Sequence, residues 1–324
     1  MNTPLLSVEN LRIEFPTRRG TLVAIDDVSF TIDSGEILGI VGESGAGKSL
    51  TGQSIIGLLE PPGRIASGHI KLNGRRLDNL AHNKMRKIRG KEIGMIFQDP
   101  LTSLNPLYTI GRQLIETIQT HTNMTASQAR EHAVSLLEEV GIPAARKRID
   151  HYPYQFSGGM RQRVVIALAV CVNPSLIIAD EPTTALDVSI QAQIIALLKK
   201  LCNDHGTAVI LVTHDMGVIA ETADRVAVMY AGCLVEIGKV RQVVKNAAHP
   251  YTKGLMNAIP SLSRRSQKLI QIDGSMPRLS DIPKGCSFHP RCLECKDICK
   301  ESRPDLIGTG TAKVACWSYH DAKL

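Results

Sequence analysis

Aromatic residues are scarce in this chain of 324 residues: five Phe, six Tyr and one Trp, 4% of the total. Proteins that grip single-stranded nucleic acid stack bases on aromatic rings set among basic residues, and this composition leaves little material for such a platform. Long apolar runs are missing as well. The longest, Val164–Val172, has nine residues, whereas a membrane-spanning helix needs about 20. The opening Met1-Asn2-Thr3-Pro4 lacks the basic and apolar regions of a secretory signal, so a cytosolic location is expected. The body also lacks excess charge. Of the net +7, residues 245–324 supply 13 Lys+Arg against 7 Asp+Glu, and residues 1–244 hold 25 against 24. The basic excess belongs to the tail, which weakens any case for the body as a polyanion binder.

What is present describes a globular protein: 43% hydrophobic and 21% charged residues, in a chain long enough for two or three units. Leu5–Phe15, Leu22–Ala24 and Val28–Ile32 read as strands, broken by Thr17-Arg18-Arg19-Gly20 and Ser34-Gly35. Ile37–Val41, Ile93–Phe97, Ser175–Ala179 and Ala208–Val212 are continuous apolar runs, as buried parallel strands are. From Leu114 to Ala169 the pattern is helical, with a capping box at Thr125…Gln128 and a terminating Gly141. Val226–Tyr230 and Leu234–Ile237 flank Ala231-Gly232 as a hairpin. Alternating strands and helices over Ile37–Thr213 predict a parallel sheet with a helical insertion at about 100–165. The periodic pattern fades after His249-Pro250, so a domain over 1–250 and a small irregular extension over 251–324 are expected.

Gly42-Glu43-Ser44-Gly45-Ala46-Gly47-Lys48-Ser49, with Leu50 following, fits G-x-x-x-x-G-K-[ST] between a strand and a helix. Glycines let backbone N–H groups turn toward phosphate oxygens, and the helix N-terminus adds its positive end. Lys48 is suited to the β/γ-phosphates of ATP and Ser49 to Mg²⁺. The strand Ser175–Ala179 ends in Asp180 and Glu181. Asp180 is suited to Mg²⁺, and Glu181 to orienting and polarising the attacking water. Gln98 can contact Mg²⁺ or that water without adding charge, and His214 can hydrogen-bond the γ-phosphate; both follow apolar strands, at the ends where open α/β sheets bind ligands. Ser157-Gly158-Gly159-Met160-Arg161-Gln162 opens another helix and makes a second anion receptor. With one loop already committed to a nucleotide, a second receptor suggests use in trans.

In this order, with Ala185-Leu186-Asp187, these motifs resemble the ATP-binding subunits of ABC transporters over residues 5–245. The resemblance implies a P-loop NTPase fold of the α/β class. Its parts are a mostly parallel core sheet, an N-terminal antiparallel β part, a helical subdomain and a small C-terminal metal-binding unit. It implies two ATP molecules sandwiched in a head-to-tail pair, with Ser157, Gly158 and Gly159 of one chain facing the phosphate loop of the other and Asp187 at the interface. An early aromatic stacks on adenine in this family; Phe15 is the candidate here, and it suits a core strand position equally. Gln98-Asp99-Pro100-Leu101-Thr102-Ser103-Leu104-Asn105-Pro106, Asp180–Val188 and His249-Pro250-Tyr251-Thr252 are similar to the dipeptide/oligopeptide/nickel importer branch, nearest its dipeptide-type members. That branch implies peptide uptake and several partners: a related but non-identical ATPase subunit, two transmembrane permease subunits and an extracytoplasmic solute-binding protein, with no nucleic acid. It places the chain on the cytoplasmic face of the bacterial inner membrane, held through the permease. A soluble ABC ATPase acting on nucleic acid is the alternative from another class, and a nickel importer ATPase the alternative within it.

Five of the eight cysteines, Cys286, Cys292, Cys295, Cys299 and Cys316, crowd the last 39 residues. In a reducing compartment such clustering reads as metal binding before disulfides. Four thiolates can close a Zn²⁺ site or hold a 4Fe–4S cluster. The spacing resembles dipeptide-type ATPases whose tail carries an iron–sulfur cluster, which implies Cys286, Cys292, Cys299 and Cys316 as ligands and Cys295 as extra.

Overall fold

The computed structural model of the chain describes residues 3–184, 186–258, 272–310 and 312–320. They form two compact units, one built from residues 1–32, 37–79 and 213–324, the other from 33–36 and 80–212. Residues on both sides of 250 therefore belong to the first unit.

The first unit begins with a long hairpin, β1 (Leu6–Thr17) and β2 (Gly20–Ile32), closed by Arg18-Arg19. Leu22–Ala24 and Val28–Ile32, read from sequence as separate strands, are one strand. The polar break between them is a bulge: Asn10 and Asp27 take positive φ (48° and 59°), and the Asn10 amide donates to the Asp27 carboxylate at 2.7 Å. The pairing continues through β4 (Arg64–Leu72) and β5 (Arg75–Arg76) in an antiparallel sheet ordered β2-β1-β4-β5.

A second set of strands in this unit runs β11 (Ile307–Gly308), β12 (Ala312–Val314), β10 (Cys233–Lys239), β9 (Arg225–Tyr230) and β3 (Ile37–Val41). β3 and β9 are parallel, and every residue of β3 is buried, as its unbroken apolar sequence requires. β9 and β10 form the hairpin expected around Ala231-Gly232. The tail is not wholly irregular: Ala312–Val314 pairs antiparallel with Glu236–Gly238. A three-residue strand is too short to show a period in sequence. Arg303 ties the tail to β2 as well, through the Asp26 carboxylate and the Asp26 carbonyl, both at 2.9 Å.

In the second unit β8 (Ala208–Val212), β7 (Leu176–Asp180) and β6 (Ile93–Ile96) are parallel neighbours in that order. The helical insertion comprises Ile110–His121, Ala126–Glu139, Ala145–Arg148 and Gly158–Val170, with a short turn of helix at Pro100–Ser103. Ile110, Leu114 and Ile118 recur every four residues and are fully buried on one face. Both bonds of the Thr125–Gln128 capping box are present, and Gly141, at φ 78°, ends that helix. Among the described residues no helix is long and apolar enough to cross a membrane.

Candidate functional site

The first unit holds the phosphate loop. β3 delivers the chain to Gly42, and a helix over Lys48–Ile55, which includes Ser49 and Leu50, carries it away. Two glycines are obligatory there. Gly42 has φ 154°, and a Cβ on it would lie 2.3 Å from the Met229 carbonyl oxygen. Gly47 has φ 100°, and its Cβ would meet Ile25 Cδ1 at 2.4 Å. The helix start carries no side-chain cap, so its first N–H groups suit an anion. Ser44 and Gly45 are exposed, whereas Ala46 anchors the loop by accepting a bond from Gly232 N at 3.0 Å.

Lys48 is 5% exposed, and its Nζ donates to the carbonyls of Gly42 (2.9 Å) and Glu43 (3.0 Å). The ammonium is thereby folded back over the loop in a position from which a phosphate oxygen can take it. His214, also in this unit, is exposed in the turn before the helix Met216–Thr222, whose N-terminus Asp215 caps. Phe15 lies near the end of β1 opposite Leu22; its ring packs against Gly63, where a Cβ would come within 2.7 Å of it. One part of the ring is thus committed to packing.

The second unit holds the carboxylates. Asp180 is the last residue of β7 and is buried. Glu181 follows in a left-handed conformation, φ 46°, fixed by its N–H donating to Val212 O at 2.9 Å. That strained backbone turns consecutive carboxylates in different directions. Glu181 Oε2 accepts from the Thr184 hydroxyl at 2.8 Å and from the Gln98 amide at 3.2 Å. Gln98 and Glu181, 83 residues apart, are thus in contact. Thr184 lies within the Asp180–Val188 motif, three residues after Glu181, but was given no role from sequence.

Ser157 caps the helix Gly158–Val170, its hydroxyl accepting from Met160 N at 3.4 Å. Ser157 and Gly158 are exposed, and Gly159 packs toward Ile190, where a Cβ would approach to 2.9 Å. In the same motif the Gln162 side chain is buried, with no hydrogen-bond partner for its Nε2. Asp187 is exposed and sits at the N-cap of the helix Val188–His205 without capping it; Ala185 lies outside the described residues.

The tail cysteines gather in the first unit. Cys286 is held by donating its N–H to Cys299 O at 2.8 Å. Its thiol is pushed up to about 12, first by burial and then by neighbouring Cys299, Cys292 and Cys316. Cys292 is raised to about 11, mainly by burial, with Cys316 and Cys295 among its neighbours. The four expected ligands lie close enough to influence one another's charge, and Cys295 lies beside Cys299. Among the described residues no three His, Cys, Asp or Glu side chains close around a point as metal ligands do. The expected metal-binding unit is not formed as a closed site.

A contact absent from the sequence reading joins this tail to the phosphate loop. Arg291, between Phe288 and Cys292, forms an ion pair with Glu43, Nη1 lying 3.1 Å from each carboxylate oxygen. The Tyr251 hydroxyl accepts from Glu43 N at 2.9 Å. Tyr251 is in turn set by His249, whose Nδ1 accepts from Tyr251 N at 3.1 Å, and by buried Glu236, which accepts from Ala248 N and His249 N at 2.9 Å each. The His249-Pro250-Tyr251-Thr252 motif was the available signal.

Comparison with known proteins identifies the family. The ABC transporter family model matches residues 25–184, and that of the oligopeptide/dipeptide transporter C-terminal region matches residues 235–299. The oligopeptide transport ATP-binding protein OppD of Salmonella typhimurium is 49% identical over 300 residues, covering 93% of this chain and 89% of that protein. The dipeptide transport ATP-binding protein DppD of Bacillus subtilis is 48% identical over 315 residues, covering 97% and 94%. Among solved structures, an ATP-binding cassette in a dimeric post-hydrolysis state with ADP and phosphate superposes with a TM-score of 0.66 at 30% identity, over 73% of this chain and 99% of that one.

Proposed function

We infer the activity from one premise: the chain belongs to the ABC transporter ATP-binding subunits, in the oligopeptide/dipeptide importer branch. It is an ATP hydrolase that powers uptake of peptides through an ABC importer. The observations that carry this reading are, in the first unit, an anion-ready loop with Lys48 folded onto it and, in the second, a Glu181 carboxylate held by Thr184 and Gln98.

In this reading Lys48 and the loop N–H groups take the β/γ-phosphates, and His214 hydrogen-bonds the γ-phosphate. Glu181 orients the attacking water and accepts its proton. The Ser49 hydroxyl, the Asp180 carboxylate and the Gln98 amide oxygen are hard donors that suit Mg²⁺, which neutralises phosphate charge when bound. Ser157, Gly158 and Gly159 receive the nucleotide held by a second, related ATPase subunit, with Asp187 at that interface. Phe15 offers the adenine an aromatic edge. Two permease subunits and an extracytoplasmic binding protein complete the importer, and the chain sits peripherally on the inner face of the cell membrane. Residues 1–250 form the ATP-binding domain and 251–324 the extension.

Thiolates are the ligands that a soft metal centre takes, although no three of these side chains close around a point among the described residues. We propose that Cys286, Cys292, Cys299 and Cys316 hold a 4Fe–4S cluster, with Zn²⁺ the ion that the same ligands would otherwise accept. Its role there is to staple a small unit that has little core of its own.

The test is ATP hydrolysis by the assembled importer in vesicles. Peptide-loaded binding protein is expected to raise the rate and to load peptide into the vesicle. A complex whose hydrolysis ignores the loaded binding protein and accumulates no peptide would overturn the transport assignment.

A further inference from the structure

The Arg291–Glu43 pair has the marks of a built contact. Arg291 is 7% exposed, and each of its nitrogens is engaged. Nε donates to Asp273 O at 2.8 Å, and Nη2 to Ile272 O and Gly274 O at 3.3 Å each. Nη1 serves Glu43, with the Tyr230 hydroxyl 3.3 Å away. Tyr230, Tyr251 and Phe288 form an aromatic wall beside it, with ring centroids 4.7–5.4 Å apart, and the guanidinium carbon lies 5.8 Å from the Tyr230 ring centre. Exposed ion pairs contribute little, but a guanidinium this enclosed and fully hydrogen-bonded has one geometry.

Its target is the second residue of the phosphate loop. Glu43 is held three ways: its N–H by Tyr251, its carbonyl by Lys48 and its carboxylate by Arg291. Lys48 is the contact that a nucleotide would draw away, which leaves Tyr251 and Arg291 as the fixed holds. Both belong to the segment following residue 250. A carboxylate at this place also repels a polyphosphate unless its charge is met.

We propose that Arg291 is a positioning residue for nucleotide binding: it cancels the charge of Glu43 and, together with Tyr251, clamps the loop in the form that receives phosphate. The C-terminal extension thereby becomes part of the nucleotide site. This inference rests on the ATP reading above, and the experiment separates the two.

The experiment measures the Kd of the full chain for Mg-ATP and Mg-ADP by fluorescence titration. Wild type that binds neither nucleotide overturns the ATP reading itself. With wild type binding, Arg291→Gln is expected to raise the Mg-ATP Kd about tenfold, the size of one charge-assisted hydrogen bond. Mg-ADP, with one phosphate fewer, should be affected less, and added salt should shrink the difference. Adding Glu43→Gln in the same chain should bring the Kd back to within about threefold of wild type, which repair of a merely structural defect would not do. An unchanged Kd in Arg291→Gln, or a defect that Glu43→Gln leaves in place, overturns the proposal. Should Arg291→Gln fail to fold, Tyr251→Phe removes only the hydroxyl at Glu43 N. A Kd raised severalfold supports the clamp, and an unchanged Kd overturns it.

Discussion

Replacing Glu181 with Gln isolates the role proposed for its carboxylate. The side chains have the same shape, so the Thr184 hydroxyl at 2.8 Å can still donate to the remaining oxygen. The backbone turn at φ 46° is held by Val212 and is untouched. The fold then loses only the extra strength of bonds to a charged acceptor, about 1 kcal/mol, since charged acceptors are worth roughly that much more than neutral ones. In a chain of this size that lowers Tm by at most about 4 °C. Turnover is another matter. A positioned base contributes about a hundred- to ten-thousandfold, or roughly 3–5 kcal/mol of the barrier. An amide can neither take the proton nor polarise the water to that degree. Binding should hold or tighten, because the site as proposed loses one negative charge near a triphosphate. The assay is single-turnover hydrolysis with the assembled importer in excess over ATP, alongside the Mg-ATP Kd and a melting curve of the chain. Hydrolysis within about tenfold of wild type, with binding intact, would falsify the assignment of Glu181 as base.

Lys48→Ala is expected to act on binding. It removes a charged donor worth about 1.5–3 kcal/mol, so the Mg-ATP Kd should rise about ten- to a hundredfold; an unchanged Kd in equilibrium dialysis argues against its phosphate role. His249 should give the fold an acid limit. Burial lowers its pKa from 6.5 to about 3, so between those values the unfolded chain binds a proton that the folded chain refuses. Stability is complete above about pH 6.5 and falls with decreasing pH by up to about 1.4 kcal/mol per unit. His249→Asn keeps a cap for Tyr251 N and removes the titration. Urea melts from pH 7 to 4.5 should show a shallower decline in the variant, and equal slopes would refute this origin. In the tail, Cys299→Ser should lose the metal measured by elemental analysis of anaerobically purified protein, whereas Cys295→Ser keeps it at about four irons per chain. The opposite pattern would exchange their roles, which the contact between these two thiols makes a pointed comparison.

Much of the fold was legible because burial on both faces leaves an unbroken apolar run. Ile37–Val41, Ala208–Val212 and, within a residue, Leu176–Asp180 are strands where those runs stand. Caps were legible because their chemistry is local: Thr125 and Gln128 bond within one turn, and Gly141 takes the left-handed conformation that glycine alone adopts without strain. Bulges and short strands were not. Nothing local tells that the chain between Ala24 and Val28 stays in the ladder, because the bond that shapes it runs from Asp27 to Asn10 on the neighbouring strand. Ala312–Val314 becomes a strand only because β10 offers it an edge.

The same distinction divides the candidate site. The proposed phosphate loop is legible from eight consecutive residues, since the glycines, lysine and serine assigned to one ligand stand in one turn. Glu181 was proposed from the strand that precedes it, but its hydrogen bond from the Thr184 hydroxyl was not foreseen, because threonine after a strand has many commoner uses. Arg291 lies 248 residues from Glu43, and in sequence it is one more cation in a basic tail beside cysteines that draw the eye. What sets it apart is a matter of enclosure: three backbone carbonyls, the Tyr230 and Phe288 rings and one carboxylate converge on it. The surplus positive charge of the tail therefore divides by place. Among the described tail cations Lys245, Arg278, Lys284, Lys296, Lys300 and Lys313 are exposed, whereas Arg291 is turned onto a loop whose own carboxylate would otherwise oppose an anion.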